Sequence, residues 1–295
     1  MYIKRNYGFF MTFNWSKKSF LIGLAYALGV NMLVYQLGTE FSLPWQPITV
    51  IGIAVAFYLG FKNNSSYDRT WEARKIWGGI VNSSRAFGAA VCAFVQGEGA
   101  PALRRELIHR HVAWLTALRH QLRMPRTWEH DRELEHNANM PRTTELPGPV
   151  CEAEMARYLS AGELAAVYAT SNLATQLLRN QSERLQALRD AGHFDDFRHM
   201  ALHGHIAELY SEQGRAERIK NFPFPRQYAS TALWLTMVFA VFVPLGMLDV
   251  IGRNEGWLFW LSPLLSALIT WVFFLMEMIG DYSENPFEGT YNDVP

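Results

Sequence analysis

Three bulky apolar side chains recur at helical spacing within one long apolar segment. Ile53, Phe57 and Phe61 are four residues apart, so they lie along one face of a helix. A stripe of this kind is usually in contact with lipid or packed in a core. Repeated around a symmetry axis, it would instead form rings that exclude water and gate a pore by dewetting. The positive edges of the phenylalanine rings could then favour a partly dehydrated anion.

Histidines form the second group with possible chemistry. His199, His203 and His205 have an HxxxHxH spacing, and the first two are one helical turn apart, where they could share a metal ion. This pattern supports one alternative, a membrane enzyme with a histidine-bound metal. No glutamate completes an HExxH arrangement, and His109 and His111 lie elsewhere in the chain. We therefore interpret most of these histidines as polar-face residues and predict neither catalytic nor metal-binding residues.

The elements that carry these residues have the composition of membrane spans. The chain has 295 residues with 27 basic and 27 acidic side chains, and its zero net charge gives no indication of a nucleic-acid partner. Long apolar runs stand at both ends, and a spanning helix needs about 20 mostly apolar residues. The sequence predicts an all-α integral membrane protein with four transmembrane helices at 19–37, 41–61, 228–248 and 257–279.

Basic residues indicate the orientation of these spans. They cluster before the first span, after the second and before the third, whereas the loop between the third and fourth has Arg253 beside Asp249 and Glu255. The positive-inside rule then predicts that both termini and the central region are cytoplasmic. A second alternative, a secondary transporter, would need charge along its substrate pathway. Glu277 is essentially the one charge in the spans, so a passive pore fits better.

The same segregation of apolar and polar residues divides the chain into four parts. We expect an N-terminal flank and pore neck with the first two spans over 1–61, a helical cytosolic region over 62–226, the last two spans over 227–280, and a cytosolic tail over 281–295. Within the central region we expect helices at 151–160, 164–191 and 194–220 and a loop at 123–149.

A dense motif follows the second span. Residues 57–78 read FYLGFKNNSSYDRTWEARKIWG, and this run resembles the bacterial homologues of the bestrophin family, also known as the RFP-TM chloride channel family. The resemblance extends along the chain and is weakest over 123–149. The residues that carry it are Asn63, Asn64, Tyr67, Arg69, Trp71, Glu72, Arg74, Trp77, Asn285, Pro286 and Phe287.

The resemblance implies an assembly and a pore. It implies a homopentamer in the lipid bilayer, in bacteria the inner membrane, with one axial pathway for small ions, chloride or sodium. Ile53, Phe57 and Phe61 match the three neck positions of the family. Phe197 and its neighbour Asp196 match the second, cytosolic constriction.

The same resemblance raises the question of calcium, because animal members follow Asn-Pro-Phe with a run of acids that binds this ion. Here only Glu288 and Asp293 follow Phe287. Calcium takes six to eight oxygen ligands, usually with several carboxylates. We therefore expect no calcium activation and no other cofactor, and we interpret Glu284, Glu288 and Asp293 as part of a solvated tail.

Overall fold

The computed structural model describes residues 8–38, 41–130, 149–251, 256–289 and 293–294. Their regular structure is helical throughout, which confirms the predicted all-α class. Arg253, Glu255 and most of the predicted 123–149 loop lie outside the described residues. The helices are α1 (Phe9–Leu37), α2 (Trp45–Phe94), α3 (Ala100–Arg123), α4 (Pro149–Met155), α5 (Ala161–Tyr168), α6 (Leu173–Asp190), α7 (Asp196–Asn221), α8 (Arg226–Ile251), a 3-10 helix (Gly256–Leu261) and α9 (Ser262–Ser283).

Four helical segments within the described ranges are long and apolar enough to cross a membrane, as the sequence predicted. Their ends differ from the prediction. α1 begins at Phe9 instead of Ser19, and the last span opens with the 3-10 helix. Pro263 therefore lies in the first turn of α9, not inside the helix. A proline is tolerated there because the N–H that it lacks would have no intrahelical partner.

The helix that contains the second predicted span continues far beyond it. α2 continues from Trp45 to Phe94, although charged and polar side chains begin at Lys62. No proline interrupts residues 62–94. The helix stops just before Gly97 and Gly99, whose φ angles of 90° and 72° are left-handed and favour glycine.

Internal contacts divide the chain into two compact units. The described part of the first unit contains α1, the portion of α2 up to Thr70, and α8 and α9. Ile48, Val55 and Leu59 of α2 share a buried core with Phe239 of α8. Packing is close at this contact, because a Cβ atom added to Gly52 would come within 2.8 Å of the Phe239 ring.

Asn31 is a buried polar residue within this first unit. Its side-chain amide donates hydrogen bonds to the Ser262 hydroxyl at 2.7 Å and to the Phe259 carbonyl at 3.0 Å. A polar side chain in a membrane helix needs such a partner, since unsatisfied groups in hydrocarbon are costly. The two bonds connect α1 with the start of α9.

The second unit contains the rest of α2, α3 to α7 and the C-terminal segment, and its core includes Trp114, whose ring nitrogen donates to Gln213 at 2.9 Å. The predicted helix 164–191 is wrong as one element, because α5 and α6 are separate. Asn172 begins α6, and its side chain accepts a hydrogen bond from the Thr175 N–H at 2.9 Å. This N-cap stabilises the start of a separate helix, so α5 and α6 do not form one continuous helix.

His111 lies in the core of the second unit and is an exception to the predicted polar-face histidines. Its ring is tilted between those of Phe87 and Trp114, each with a centroid 5.2 Å away. Neither ring nitrogen has a hydrogen-bond partner among the described residues. Burial lowers the pKa of His111 to about 4, because the charged imidazolium cannot be solvated there.

This burial predicts an acid sensitivity of folding. Between the unfolded value of about 6.5 and the folded value, a proton binds the unfolded imidazole but not the folded one. The free energy of unfolding should therefore decrease as the pH is lowered through this window, by up to about 3 kcal/mol. Thermal unfolding of the solubilised protein at pH 7 and pH 5 measures the effect. His111→Phe should reduce the acid shift, whereas His203→Phe, at an exposed position, should keep it. Equal shifts in the two variants would contradict the assignment.

Candidate functional site

The predicted stripe lies on the exposed face of α2. Ile53, Phe57 and Phe61 are 65%, 69% and 56% exposed in the single chain. The two phenylalanine rings are 4.6 Å apart between centroids and meet edge to face at 81°. The three side chains therefore form one continuous apolar ridge along the apolar part of the helix.

The opposite face of α2 is buried at helical spacing. Val55, Leu59, Lys62 and Ser66 are each at most 1% exposed. These positions repeat every three to four residues, which is the spacing of a single helix face. The buried and exposed stripes together fix the rotation of α2 within its unit.

A buried ion pair interrupts this apolar face. Lys62 Nζ lies 2.6 Å from Glu277 Oε1 of α9 and 3.6 Å from Asp281 Oδ1. His130 hydrogen-bonds the same Asp281 carboxylate at 2.8 Å. Next to the lysine, the Asn63 amide donates to the Met276 carbonyl at 3.0 Å. Sequence reasoning noted Glu277 but missed its partner.

Other motif residues of the α2 segment have mixed environments. Arg69 Nε donates to the Glu284 carbonyl at 2.8 Å. Asn64, Tyr67 and Trp71 are exposed along α2. Farther along α2, Glu72 pairs with Lys75, Arg74 is exposed and Trp77 packs against the core of the second unit. The motif therefore combines residues that hold α2 in place with residues that are exposed on its surface.

The C-terminal acids are buried, so the predicted solvated tail is wrong. Glu284, Glu288 and Asp293 are 1%, 6% and 2% exposed. Burial raises the pKa of Glu284, and the nearby charge of Asp281 adds to this effect, while Arg226 opposes it with a contact of 2.9 Å.

The segment after the Asn-Pro-Phe motif folds onto its own unit. Phe287 is 4% exposed and belongs to the core of the second unit. The Val294 N–H donates to the Pro286 carbonyl at 3.1 Å. Arg123 contacts Asp293 at 3.1 Å and donates to the Val294 carbonyl at 2.9 Å. Asn285, the first motif residue, is 7% exposed and is the last residue of the first unit.

The predicted cytosolic constriction lies at the start of α7 in the second unit. Phe197 is 89% exposed, while the neighbouring Phe194 is buried. The Asp196 carboxylate is also exposed and lies 3.5 Å from Arg189 Nε. Asp195 begins the helix, since its side chain accepts from the Arg198 N–H at 2.9 Å. Of this acidic pair, Asp195 is used as a helix cap and Asp196 extends outward.

The histidine pair of α7 is stacked along the helix. The His199 and His203 rings stack at 6.1 Å with an interplanar angle of 17°. His203 Nδ1 is within hydrogen-bond distance of the Ser182 hydroxyl, at 3.1 Å. No group of three or more potential metal-binding side chains occurs among the residues that the structure describes.

Similarity to known proteins covers nearly the whole chain. The family model described as "Bacterial/Fungal Bestrophin protein" matches residues 17–295. A Ralstonia nicotianae relative named "voltage-dependent anion channel-forming protein RSc3414" is 30% identical over 93% of this chain and 80% of its own length. The Escherichia coli K12 protein with that name and the designation YneE is 25% identical, over 94% and 83%.

Solved structures share the fold. The crystal structure of a bacterial bestrophin homologue from Klebsiella pneumoniae, solved by Zn-SAD phasing, matches with a TM-score of 0.76 and 23% identity. The match covers 94% of this chain and 91% of that one. At this identity the likeness concerns the fold alone.

The buried ion pair generates a stability prediction. Glu277→Gln leaves the Lys62 charge buried with only the more distant Asp281 contact, and breaking such a pair should destabilise the protein by about 3 kcal/mol. The matched control is Glu183→Gln, which breaks the exposed pair with Arg179 and should change stability by less than about 1 kcal/mol. Denaturant unfolding in detergent measures both.

A double variant separates the pair from its individual charges. Lys62→Met with Glu277→Leu removes both charges and should recover most of the lost stability, because apolar replacements of a buried pair are often neutral. If Glu277→Gln were as stable as Glu183→Gln, the pair would not hold α2 against α9.

Proposed function

This chain belongs to the bacterial and fungal bestrophin family, and from that membership we propose that it forms a homopentameric channel with a hydrophobic neck and a cytosolic constriction. The chain is a multi-pass membrane protein, and the family and the names of its curated relatives make it an ion channel. These names also point away from an enzyme. The permeant ions are small monovalent ions, chloride or sodium.

The exposed ridge of α2 is the observation that carries the neck. The side chains of Ile53, Phe57 and Phe61 are left more than half exposed by the described part of the single chain. Ala54 and Gly60, beside the ridge, are also exposed, and a Cβ atom added to Gly60 would have open space around it. Small residues of this kind let membrane helices approach closely. Five copies of α2 could therefore pack around an axis with the ridge facing inward.

Three stacked rings of bulky side chains would make this neck narrow and dry. Ile53, Phe57 and Phe61 follow one another at about 6 Å intervals along the axis, four residues at 1.5 Å each. A passage lined in this way conducts only when it is wetted. The positively polarised edges of the phenylalanine rings would be the part of this lining that attracts an anion.

The neck does not by itself select the sign of the ion. The relatives named anion channel-forming proteins favour chloride. A ring of exposed Asp196 carboxylates at the cytosolic constriction, beside Phe197, would instead favour sodium. The selectivity of this channel therefore depends on which charged side chain of α7 faces the axis.

The proposed orientation places both termini in the cytoplasm and the channel in the bacterial inner membrane. It rests on the basic residues that flank the spans, such as Lys17 and Lys18 near the start of α1 and Arg226 at the start of α8. The transporter alternative has less support, because the intramembrane Glu277 is 7% exposed and is paired with Lys62.

Truncation of the ridge tests the neck. Replacing Ile53, Phe57 and Phe61 together with alanine should widen the passage and keep it wet, so the conductance of reconstituted protein should rise. The control replaces Ile22, Met32 and Leu33 of α1, which are similarly exposed, and should leave conductance unchanged. Unchanged conductance in the ridge variant, with assembly intact, would place the gate elsewhere.

Neutralising charges on α7 tests the constriction. Asp196 and Arg198 are two residues apart on a helix, so they point in different directions. If Asp196 faces the axis, Asp196→Asn should lower the cation-to-anion permeability ratio, most strongly at low salt, where screening is weak. Arg198→Gln should then have little effect. Reversal potentials in asymmetric salt measure the ratio, and the opposite pattern would assign Arg198 to the axis and an anion to the pore.

A further inference from the structure

A groove on the second unit is lined by none of the residues proposed for the neck or the constriction. Its volume is about 610 Å³, within the range of roughly 300–1,000 Å³ that is typical of small-molecule sites. α2, α3 and the segment around the end of α4 form its walls. The lining residues that carry the following argument are Trp77, Ser84, Arg85, Leu115, Arg119, Glu154, Arg157 and Tyr158.

The groove has an excess of positive charge. Three arginines and one glutamate line it, which gives a net formal charge of two positive. Arg119 Nη2 lies 2.5 Å from Glu154 Oε2, so these two charges compensate each other. The side chains of Arg85 and Arg157 are exposed, and their guanidinium groups make no hydrogen bond or ion pair with any residue that the structure describes.

The ionised carboxylate of Glu154 compensates the charge of Arg119. Burial alone would raise the pKa of its carboxyl. The hydrogen bond with His120 and the charge of Arg119 together outweigh burial, so the pKa is below its ordinary value. Glu154 is therefore ionised at neutral pH and remains engaged with Arg119. The guanidinium groups of Arg85 and Arg157 are the ones left for a ligand.

The rest of the groove offers an apolar surface and a hydroxyl. Trp77, Leu115 and Tyr158 are partly buried and pack against the core, so they present fixed walls. The buried hydroxyl oxygen of Ser84 has no hydrogen-bond partner in the described part of the chain. Sites with mostly apolar walls and a few placed polar groups are typical of small-molecule binding.

We propose that this groove binds a small organic anion, with an apolar or aromatic body against Trp77, Leu115 and Tyr158 and a phosphate or carboxylate held by Arg85 and Arg157. Arginine is suited to this role because its planar fork matches both anions bidentately. The site shares no residue with the proposed neck or constriction and does not require the channel proposal to hold.

Calorimetric titration of the full-length protein in detergent tests the site with phenyl phosphate as the probe. Saturable binding at one site per chain is expected. Phenol and inorganic phosphate, which each supply one half of the probe, should bind at least about tenfold more weakly, because charged hydrogen bonds and apolar burial both contribute. Benzoate, titrated in the same way, shows whether a carboxylate replaces the phosphate. Failure of phenyl phosphate to bind saturably would overturn the proposal.

Two kinds of variant locate the binding. Arg85→Gln with Arg157→Gln should weaken phenyl phosphate by at least about tenfold. The control, Arg105→Gln with Arg179→Gln, removes equal charge from exposed positions of the same unit outside the groove and should bind normally. Equal weakening in both would mean non-specific attraction and would overturn the site.

A variant that fills the groove without changing its charge tests whether the probe binds inside it. Ser84→Phe leaves every arginine in place but fills the groove, and it breaks no hydrogen bond to a described residue. It should abolish binding of phenyl phosphate. Wild-type affinity in this variant, with an unchanged elution profile, would place the probe elsewhere and reject the groove as its site.

Discussion

The buried ion pair between Lys62 and Glu277 fixes the direction in which α2 faces. A lysine charge is costly in hydrocarbon unless it is paired, and this one is 2.6 Å from its partner with 1% exposure. Lys62 continues the buried stripe of Val55 and Leu59, so the whole face must turn towards α8 and α9. The ridge of Ile53, Phe57 and Phe61 is then directed outward by helical geometry, which makes it available to other copies of the chain.

The outward ridge connects this constraint to function. A single chain buries the polar parts of its spans: the Asn31 amide has two partners, and Lys62 has a carboxylate. In the apolar part of α2, the exposed ridge of Ile53, Phe57 and Phe61 is flanked by the small residues Ala54 and Gly60. Five chains arranged around that face would cover it and enclose a passage. Glu284 and Asp293, which are buried and paired with arginines, belong to the structural frame of each chain.

The sequence was sufficient for features that depend on local composition. Span number, the all-α class and the family follow from apolar run length and from the motif at 57–78. The length of α2 did not follow from the span pattern, because a change from apolar to polar side chains does not stop a helix; the break comes only before Gly97 and Gly99. The start of α6 had a local signal, the Asn172 cap, within a pattern that otherwise continued. The burial of the C-terminal acids had no local signal in the sequence, because the partner of Asp293 is Arg123, which is distant in the chain.

The mass of the assembly in mild detergent tests the central claim most directly, because the outward ridge of α2 requires further copies of the chain to become the lining of a pore. Native mass spectrometry of the solubilised, full-length protein gives this number without any label or variant. Our account predicts a species with five times the mass of the chain. A monomer or dimer as the only stable species would contradict it.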